Sequence, residues 1–300
     1  MENFVIIIVF LLIGMAVKRI PVFPKQTGNV LNLFVIYFTL PALILLKIPK
    51  LTFSKNLLLP TLMPWGLLLF SATIVLVLSK IFRWDRVTTG CLLLLVPLGN
   101  TSFLGIPMVR AFFGEHAVPY ALLYDQLGSF LALATYGSLI LALYGKGESA
   151  PDFQKVLKKI ISFPPFVALA FAFLLKNFAY PSVVQNLLEM LASTLIPLVM
   201  VAVGFQLTLQ FDKTVLSQLS LGLTIKLVLA PLAALLFTRL IGLEGELVQI
   251  SILEAGMPPM VSAGALAILD DLAPSLAAAL VGIGILVSFI TLPMLYQLMA

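Results

Sequence analysis

The sequence has few charged residues, a single cysteine and a single histidine. Charged side chains make up 10% of its 300 residues, whereas about 25% is usual for a soluble globular domain. Cys91 has no second cysteine with which to form an intrachain disulfide, and His116 alone cannot build a histidine-rich metal site. These shortages exclude a soluble globule, a disulfide-stabilised scaffold and a metal centre built from histidines or cysteines.

The sequence also lacks the residue sets that catalysis inside a membrane requires. An intramembrane protease needs a nucleophile with its base, two facing aspartates, or an HExxH helix. His116 lies outside the apolar segments, and Asp125 is an isolated aspartate within them. We therefore expect no enzymatic activity, no catalytic residues, no bound metal and no cofactor.

Hydrophobic residues, by contrast, make up 61% of the chain. A membrane-spanning helix needs about 20 mostly apolar residues, and ten segments meet this requirement. We therefore predict an all-α integral membrane protein with ten transmembrane helices. The helices, numbered 1 to 10 with ends good to a few residues, are roughly 3 to 20, 28 to 47, 56 to 80, 88 to 113, 117 to 144, 160 to 179, 183 to 207, 215 to 240, 246 to 269 and 274 to 298.

The basic residues lie in short clusters between these segments, where they orient a chain in the bilayer. This placement explains the formal net charge of +5 without a nucleic-acid partner. The connections after helices 1, 3, 5 and 7 hold eleven of the 18 Lys and Arg residues, and those on the other side hold six. We expect a cell (inner) membrane protein with both termini outside and the longest loop, Gly145 to Lys159, in the cytoplasm.

Prolines recur at matching places in the two halves of the chain. Pro41 of helix 2 matches Pro197 of helix 7, and Pro97 of helix 4 matches Pro258 of helix 9. The pattern fits two five-helix repeats, 1–145 and 160–300, joined by a cytoplasmic linker, 146–159. An odd number of helices per repeat inverts the second repeat, and inverted repeats with broken helices are typical of secondary transporters. The alternative is a chance pairing, because proline is common in membrane helices.

The stretch VPLGNTSFLGIPMV, Val96 to Val109, interrupts helix 4 with poor helix formers. Pro97 and Pro107 lack an N–H and displace carbonyls of the preceding turn. In hydrocarbon an unpaired backbone group costs several kcal/mol, so a break survives only inside protein or beside a wet cavity. Helix 9 has a similar proline-containing interruption at EAGMPP, residues 254–259. Each break presents one helix N-terminus, whose free N–H groups attract an anion, and one C-terminus, whose carbonyls attract a cation. Two such breaks that cross predict a central site for a small carboxylate.

The same residues resemble a known family. The segment GNTSFLGIP, residues 99–107, is similar to the fourth-helix signature of the auxin efflux carrier family, whose plant members are the PIN-formed auxin exporters. Three further matches follow across nearly the whole chain: LNLFVIYFTLPALIL from Leu31, LTIKLVLAPLAALL from Leu223, and EAGMPPMVSAGALA from Glu254. The loop after helix 5 is far shorter than the regulatory loop of many plant members, which argues against control by phosphorylation there.

The resemblance implies two inverted five-helix repeats, with a scaffold of helices 1, 2, 6 and 7 and a transport unit of helices 3–5 and 8–10. It implies transport of organic anions, which are auxin in plants and dicarboxylates among bacterial relatives. It also implies a homodimer formed through scaffold helices. The chain is thus expected to be a bacterial-type relative of the plant exporters.

Asn100 and Asn32 are the polar site candidates that match family motifs. Asn100 matches a substrate-contacting asparagine; alternatively, it only caps the second half-helix. Asn32 matches the helix 2 motif, or is an interfacial residue near a helix end. The full set of expected substrate-site residues is Asn32, Pro41, Pro97, Gly99, Asn100, Thr101, Ser102, Pro107, Gln126, Gly256, Pro258, Pro259 and Ser262.

Three charged residues lie deep in predicted helices. Lys226 is about 16 Å along helix 8 by helical rise, so it needs an anionic partner, either Glu254 or Asp125. The partnership is a static buried ion pair, or else the carboxylate exchanges the lysine for a proton or sodium ion and so couples ion movement to transport. The sequence leaves both readings open.

The expected function is secondary transport of a small organic anion by alternating access, with the substrate at the crossing of helices 4 and 9. One alternative is a sodium-coupled symporter of the bile-acid type, a family that shares this architecture and a similar glutamate before the helix 9 break. The other is a membrane sensor that binds the ligand without moving it.

Overall fold

A computed structural model describes residues 2–51, 57–146, 153–176, 178–207 and 213–299, with the side chains of residues 2, 3 and 213 left out. Throughout these ranges the ordered elements are helices, and no β-strand forms. The first eight α-helices are α1 (Glu2–Val17), α2 (Thr27–Phe34), α3 (Leu40–Lys47), α4 (Leu58–Phe82), α5 (Arg86–Leu95), α6 (Ile106–Phe113), α7 (Val118–Leu123) and α8 (Ser138–Tyr144).

The remaining nine are α9 (Phe153–Ile161), α10 (Pro164–Leu174), α11 (Ser182–Ser193), α12 (Leu195–Gln206), α13 (Leu216–Thr224), α14 (Ala230–Leu240), α15 (Glu246–Ala255), α16 (Val261–Leu269) and α17 (Pro274–Met299). Wider π-helical segments occupy Val35–Thr39, Thr101–Gly105, Tyr124–Phe130, Leu133–Gly137 and Ile225–Leu229, and short 3-10 turns occupy Ile48–Lys50, Glu115–Ala117 and Lys213–Val215.

Six continuous helical segments in the described ranges are long and apolar enough to span a membrane. They correspond to predicted helices 2, 3, 5, 7, 8 and 10, and confirm a multi-pass membrane protein. A bent pair, α9 with α10, raises the count to seven. The other predicted helices are shorter or divided, so ten complete spans and an inverted repeat remain predictions. The six segments are Thr27–Lys50, Leu58–Phe82, Glu115–Tyr144, Ser182–Gln206, Leu216–Leu240 and Pro274–Met299.

Helix 6 differs from its predicted extent. It was expected to run from residue 160 to 179, but α10 covers only Pro164–Leu174, and α9 meets it at an angle of 61°. Phe163, just before α10, is extended, with φ −76° and ψ 117°. The reason is Pro164, since the proline ring disfavours a helical conformation in the residue before it. Part of the predicted loop from Gly145 to Lys159 is therefore helical, and its residues 147–152 lie outside the described ranges.

Three of the π-helical segments end two residues before a proline. Segments 35–39, 101–105 and 225–229 precede Pro41, Pro107 and Pro231, respectively. A proline has no N–H for the carbonyl four residues back. The wider turn shifts the hydrogen bonds by one residue, so that the N–H of Leu40 donates to the Val35 carbonyl, five residues back. Proline is thus accommodated in these helices without a complete break.

Contacts divide the chain into two compact units. Unit 1 comprises Met1–Lys55, Ser102–Leu122 and Lys158–Leu207, and unit 2 comprises Asn56–Thr101, Leu123–Leu157 and Thr208–Ala300. In unit 1, α1 and α12 approach closely at two glycines. A Cβ at Gly14 would lie 2.2 Å from the Val201 carbonyl oxygen, and one at Gly204 would lie 2.1 Å from the Leu11 carbonyl oxygen. The backbones of the two helices are therefore in direct contact.

In unit 2, the two helices that end at the predicted breaks lie in the interior. Every residue of α5 from Thr89 to Leu95 is buried, as is every residue of α15 from Ile250 to Ala255. A helix that is apolar on all sides belongs in the interior of its domain. The core of unit 2 packs around α5 with residues of α13, α16 and α17.

We predict that Gly14→Ala destabilises the protein by about 1–3 kcal/mol, the usual cost of overpacking a close contact. The added methyl group would meet backbone atoms of α12, which cannot rotate away. The free energy of unfolding of the purified protein in one detergent provides the measurement.

Gly66→Ala is the matched control. Gly66 lies inside α4 with nothing within 4 Å of its added Cβ, so this change should be neutral or stabilising by up to about 1 kcal/mol through helix propensity. Equal stability of Gly14→Ala and the unchanged protein would contradict the close packing of α1 on α12.

Candidate functional site

The chain leaves the α-helical conformation at both predicted breaks. α5 ends at Leu95, and after a non-helical stretch the chain re-enters a helix through the π-helical segment 101–105. α15 ends at Ala255, and α16 begins at Val261. The intervening residues contain Pro97 in one break and Pro258 and Pro259 in the other. The breaks lie where the sequence predicts them.

The two breaks cross and bond to each other. The backbone N–H of Asn100 donates to the Pro258 carbonyl oxygen at 2.8 Å, and the N–H of Met260 donates to the Leu98 carbonyl oxygen at 3.0 Å. Gly99 and Pro259 thereby form an isolated antiparallel bridge. These bonds satisfy backbone groups that the breaks leave unpaired inside an apolar interior.

Asp125 organises the polar side chains beside the crossing. Thr101 Oγ1 donates to Asp125 Oδ1 at 2.6 Å, and Gln126 Nε2 donates to Asp125 Oδ2 at 2.7 Å. All three side chains are at least 99% buried. Hydrogen bonds to a carboxylate are strong, and burial of the aspartate depends on them.

Lys226 contacts the end of α15 through its ammonium group. Lys226 Nζ donates to the Ala255 carbonyl oxygen at 3.3 Å. Lys226 also interacts electrostatically with the predicted partner Glu254, although the Glu254 carboxylate oxygens accept no hydrogen bond from a described residue. The last carbonyls of a helix carry partial negative charge, which attracts a cation. Gly99 makes room for this arrangement, because a Cβ there would lie 3.0 Å from Lys226 Nζ.

Several buried polar atoms at the crossing have no hydrogen-bond partner among the described residues. They are Asn100 Nδ2, Gln126 Oε1 and both carboxylate oxygens of Glu254. Asn100 is 2% exposed and Glu254 is fully buried. An unsatisfied buried polar atom typically costs about 1–3 kcal/mol, so a cluster of them needs an explanation. A polar ligand at the crossing would supply the missing partners.

A small cavity lies beside this cluster, entirely within unit 2. Its volume of about 10 Å³ is close to the minimum needed for one water molecule. Its polar lining residues are Thr101, Tyr124, Ser129, Lys226 and Glu254. Its other lining residues are Pro64, Leu67, Leu68, Pro97, Leu98, Gly99 and Ala132.

Polar residues of the cluster occupy π-helical segments. Thr101 lies in segment 101–105, Asp125 and Gln126 in segment 124–130, and Lys226 in segment 225–229. Such widened turns occur frequently at functional sites. The π geometry does not follow from hydrophobic periodicity and could not be read from the sequence.

Four other predicted site residues lie elsewhere in the chain, in unit 1. Asn32 is buried and its Nδ2 donates to Gln206 Oε1 at 3.2 Å, while Gln206 Nε2 donates to Asn29 Oδ1 at 2.8 Å. Pro41 and Pro107 each follow a π-helical segment, and Ser102 belongs to unit 1 by its contacts. Of the candidates in unit 2, Gly256 lies in the second break and Ser262 in the first turn of α16.

Seven residues that line the cavity are not among the predicted site residues, including Ser129, Tyr124 and Pro64. Ser129 follows Asp125 by four residues, so helical spacing places both on one face and could have indicated it. Tyr124 precedes Asp125, and no polar pattern distinguishes it from other apolar positions. Pro64 lies inside α4, and nothing in the sequence connects it to the crossing.

The chain is similar to known membrane transport proteins. A family model described as "Membrane transport protein" matches residues 1–296. An uncharacterized transporter of Methanocaldococcus jannaschii is 27% identical over 267 residues, which cover 86% of this chain and 85% of the relative. An uncharacterized transporter of Methanothermobacter thermautotrophicus is 26% identical over 298 residues, which cover 98% and 96%. The chain belongs to the membrane transport protein family, which includes the auxin efflux carriers.

Proposed function

We propose that the protein is a secondary transporter that moves a small organic anion across the cell membrane by alternating access. The substrate carboxylate binds where the breaks after α5 and α15 cross. The observation that supports this site most directly is the buried Asn100 amide, whose Nδ2 has no partner among the described residues.

Three groups at the crossing attract an anion, although the Glu254 carboxylate lines the same cavity. Lys226 brings a buried ammonium group to the cavity wall, and Asn100 Nδ2 is a hydrogen-bond donor. α16 begins at Val261, directly after the crossing, and the first N–H groups of a helix carry partial positive charge. Donors on both broken helices could therefore share one carboxylate.

The small volume of the cavity favours a mechanism that includes motion. A cavity of about 10 Å³ accepts one water molecule, whereas an organic acid with several carbon atoms needs much more room. Binding therefore requires the lining side chains or the breaks themselves to move. Alternating access supplies such a movement in each transport cycle.

We also propose ten spans in two inverted repeats, 1–145 and 160–300, with scaffold helices 1, 2, 6 and 7 and a homodimer formed through them. The grouping of α1–α3 with α10–α12 in unit 1 supports the scaffold assignment. Unit 1 also contains Ser102–Leu122, which is the second half of predicted helix 4 and the start of predicted helix 5. We propose that both helices belong to the transport unit of helices 3–5 and 8–10.

Glu254 favours a second candidate, transport coupled to a proton or sodium ion. Its carboxylate is fully buried beside the cavity, and neither oxygen accepts a hydrogen bond from a described residue. A buried carboxylate in this state needs a proton or a cation. In this version Glu254 carries the coupling ion while Lys226 holds the Ala255 carbonyl.

Uptake and counterflow of labelled organic acids in proteoliposomes test the proposed function. A thermal-shift screen selects the acids, since a ligand at 100 times its dissociation constant stabilises the protein by about 2.7 kcal/mol. Flux of a bound acid supports a transporter. Binding of an acid without any flux would instead indicate a sensor on the same fold.

We predict that Asn100→Ala weakens binding of the selected acid by about 1–3 kcal/mol, the usual value for a lost buried hydrogen bond. Folding should be retained, because no described residue bonds to Asn100 Nδ2. Calorimetric titration of the purified variant gives the affinity. Asn186→Ala, on the exposed surface of α11, is the matched control, and an unchanged affinity in Asn100→Ala would remove this residue from the site.

We predict that Glu254→Gln abolishes the pH or sodium dependence of transport while substrate binding and stability are retained. The change removes no hydrogen bond, since neither carboxylate oxygen accepts one from a described residue. Initial rates across pH and sodium gradients provide the measurement, with exposed Glu244→Gln as the control. An active Glu254→Gln carrier with unaltered ion dependence would rule out the coupling role.

We predict that a cysteine introduced within residues 147–152 reacts with impermeant reagents only from the cytoplasmic side, and that cysteines at both termini react only from outside. The native Cys91 is buried and should give no background. Labelling of the two termini on opposite faces would indicate an odd number of spans and contradict the inverted repeat.

A further inference from the structure

Helix α9 separates apolar and basic residues onto opposite faces. Its sequence is FQKVLKKII. At about 100° per residue, the five apolar side chains share one arc of about 140°. The opposite arc carries Gln154, Lys155, Lys158 and Lys159. A short helix with apolar residues on one face and lysines on the other is typical of a segment that lies on a membrane surface.

The apolar face of α9 is exposed. Phe153 is 76% exposed, Leu157 45% and Ile161 59%, and no residue of α9 is buried. Three large apolar side chains on one side of a nine-residue helix form a contiguous patch, which is unfavourable in water. The patch needs an apolar environment that the described part of the chain does not provide.

The charge of α9 excludes the centre of the bilayer as that environment. Each lysine at the centre of a membrane costs about 2.5–3.5 kcal/mol or more, and α9 has three in nine residues. The 61° bend between α9 and α10 also turns α9 away from the axis of the apolar helix that follows it. Pro164 and Pro165 at the start of α10 fix this bend.

The remaining apolar environment beside charged groups is the headgroup boundary of the leaflet that α10 enters. There an amphipathic helix buries its apolar face about 5–10 Å deep and keeps its lysines among the phosphates. Each lysine near an anionic surface gains about a fivefold preference, equivalent to about 1 kcal/mol. A lipid leaflet is favoured over a soluble partner, because α9 is covalently continuous with a membrane helix.

We propose that α9 lies in the plane of the membrane, with its apolar face in the acyl boundary and its lysines on anionic phospholipid headgroups. Within this helix the chain passes from unit 2 to unit 1, between Leu157 and Lys158. Anionic lipid therefore holds the connection between the two units at the membrane surface. This lipid site is independent of the proposed transport site.

Spin labels on the two faces of α9 test the proposal in the full-length protein. Cysteines replace Leu157 or Lys159, which are about 200° apart around the helix, in vesicles of phosphatidylcholine with or without phosphatidylglycerol. With phosphatidylglycerol, the Leu157→Cys label should be accessible to oxygen and shielded from a water-soluble nickel reagent. The Lys159→Cys label should show the opposite preference.

Charge variants separate lipid recognition from simple burial. In the Leu157→Cys background, K158Q/K159Q should lower the ratio of membrane-shielded to water-exposed label by up to about 25-fold, or about fivefold per lysine. K25Q/K80Q removes the same charge from two other exposed lysines and should leave the ratio unchanged.

Three results would overturn the proposal. One is a Leu157→Cys label that is fully accessible to the nickel reagent both with and without phosphatidylglycerol. Another is deep burial of both labels, which would make α9 the first part of a bent span. The last is shielding that depends on protein concentration, which would indicate contact with a second copy of the chain.

Discussion

The requirement that every buried backbone N–H and C=O has a partner controls the centre of this protein. Prolines deprive helical carbonyls of their donors, and an apolar interior supplies no water to replace them. At the crossing the two broken segments solve the problem for each other, through the bonds from Asn100 to Pro258 and from Met260 to Leu98. Neither break would be stable alone, so the geometry of each depends on the other.

The same requirement explains the three π-helical segments that end two residues before a proline. Before Pro41 and Pro231 the helix widens, and its hydrogen bonds shift by one residue, to the carbonyl five residues back. The widened turns also change the direction of neighbouring side chains. Thr101 and Lys226 belong to such turns, so accommodation of a proline also places these two side chains. Asp125 lies in segment 124–130, which is not followed by a proline at that spacing.

Much of this arrangement could be predicted from residue types. Pro97, Pro258 and Pro259 predict both breaks, and the polar residues next to them predict the candidate site, because these properties are local. The hydrogen bond from Lys226 to the Ala255 carbonyl could not be predicted, since a backbone carbonyl at a helix end carries no sequence signal. The extended conformation of Phe163 could also have been predicted, because a residue before proline is expected to be extended. The hydrophobic pattern alone made helix 6 too long.

The position of Lys226 determines what the crossing can bind. Its ammonium donates to the Ala255 carbonyl, and Glu254 interacts with it electrostatically without a contact ion pair. A dipole is a weaker partner than a full negative charge in the same low-dielectric surroundings. In the proposed transporter, a lysine bonded to this dipole keeps more attraction for a substrate anion than a lysine in direct contact with Glu254 would keep. Gly99 is part of this arrangement, since a side chain there would press on Lys226 Nζ and displace the charge from the crossing.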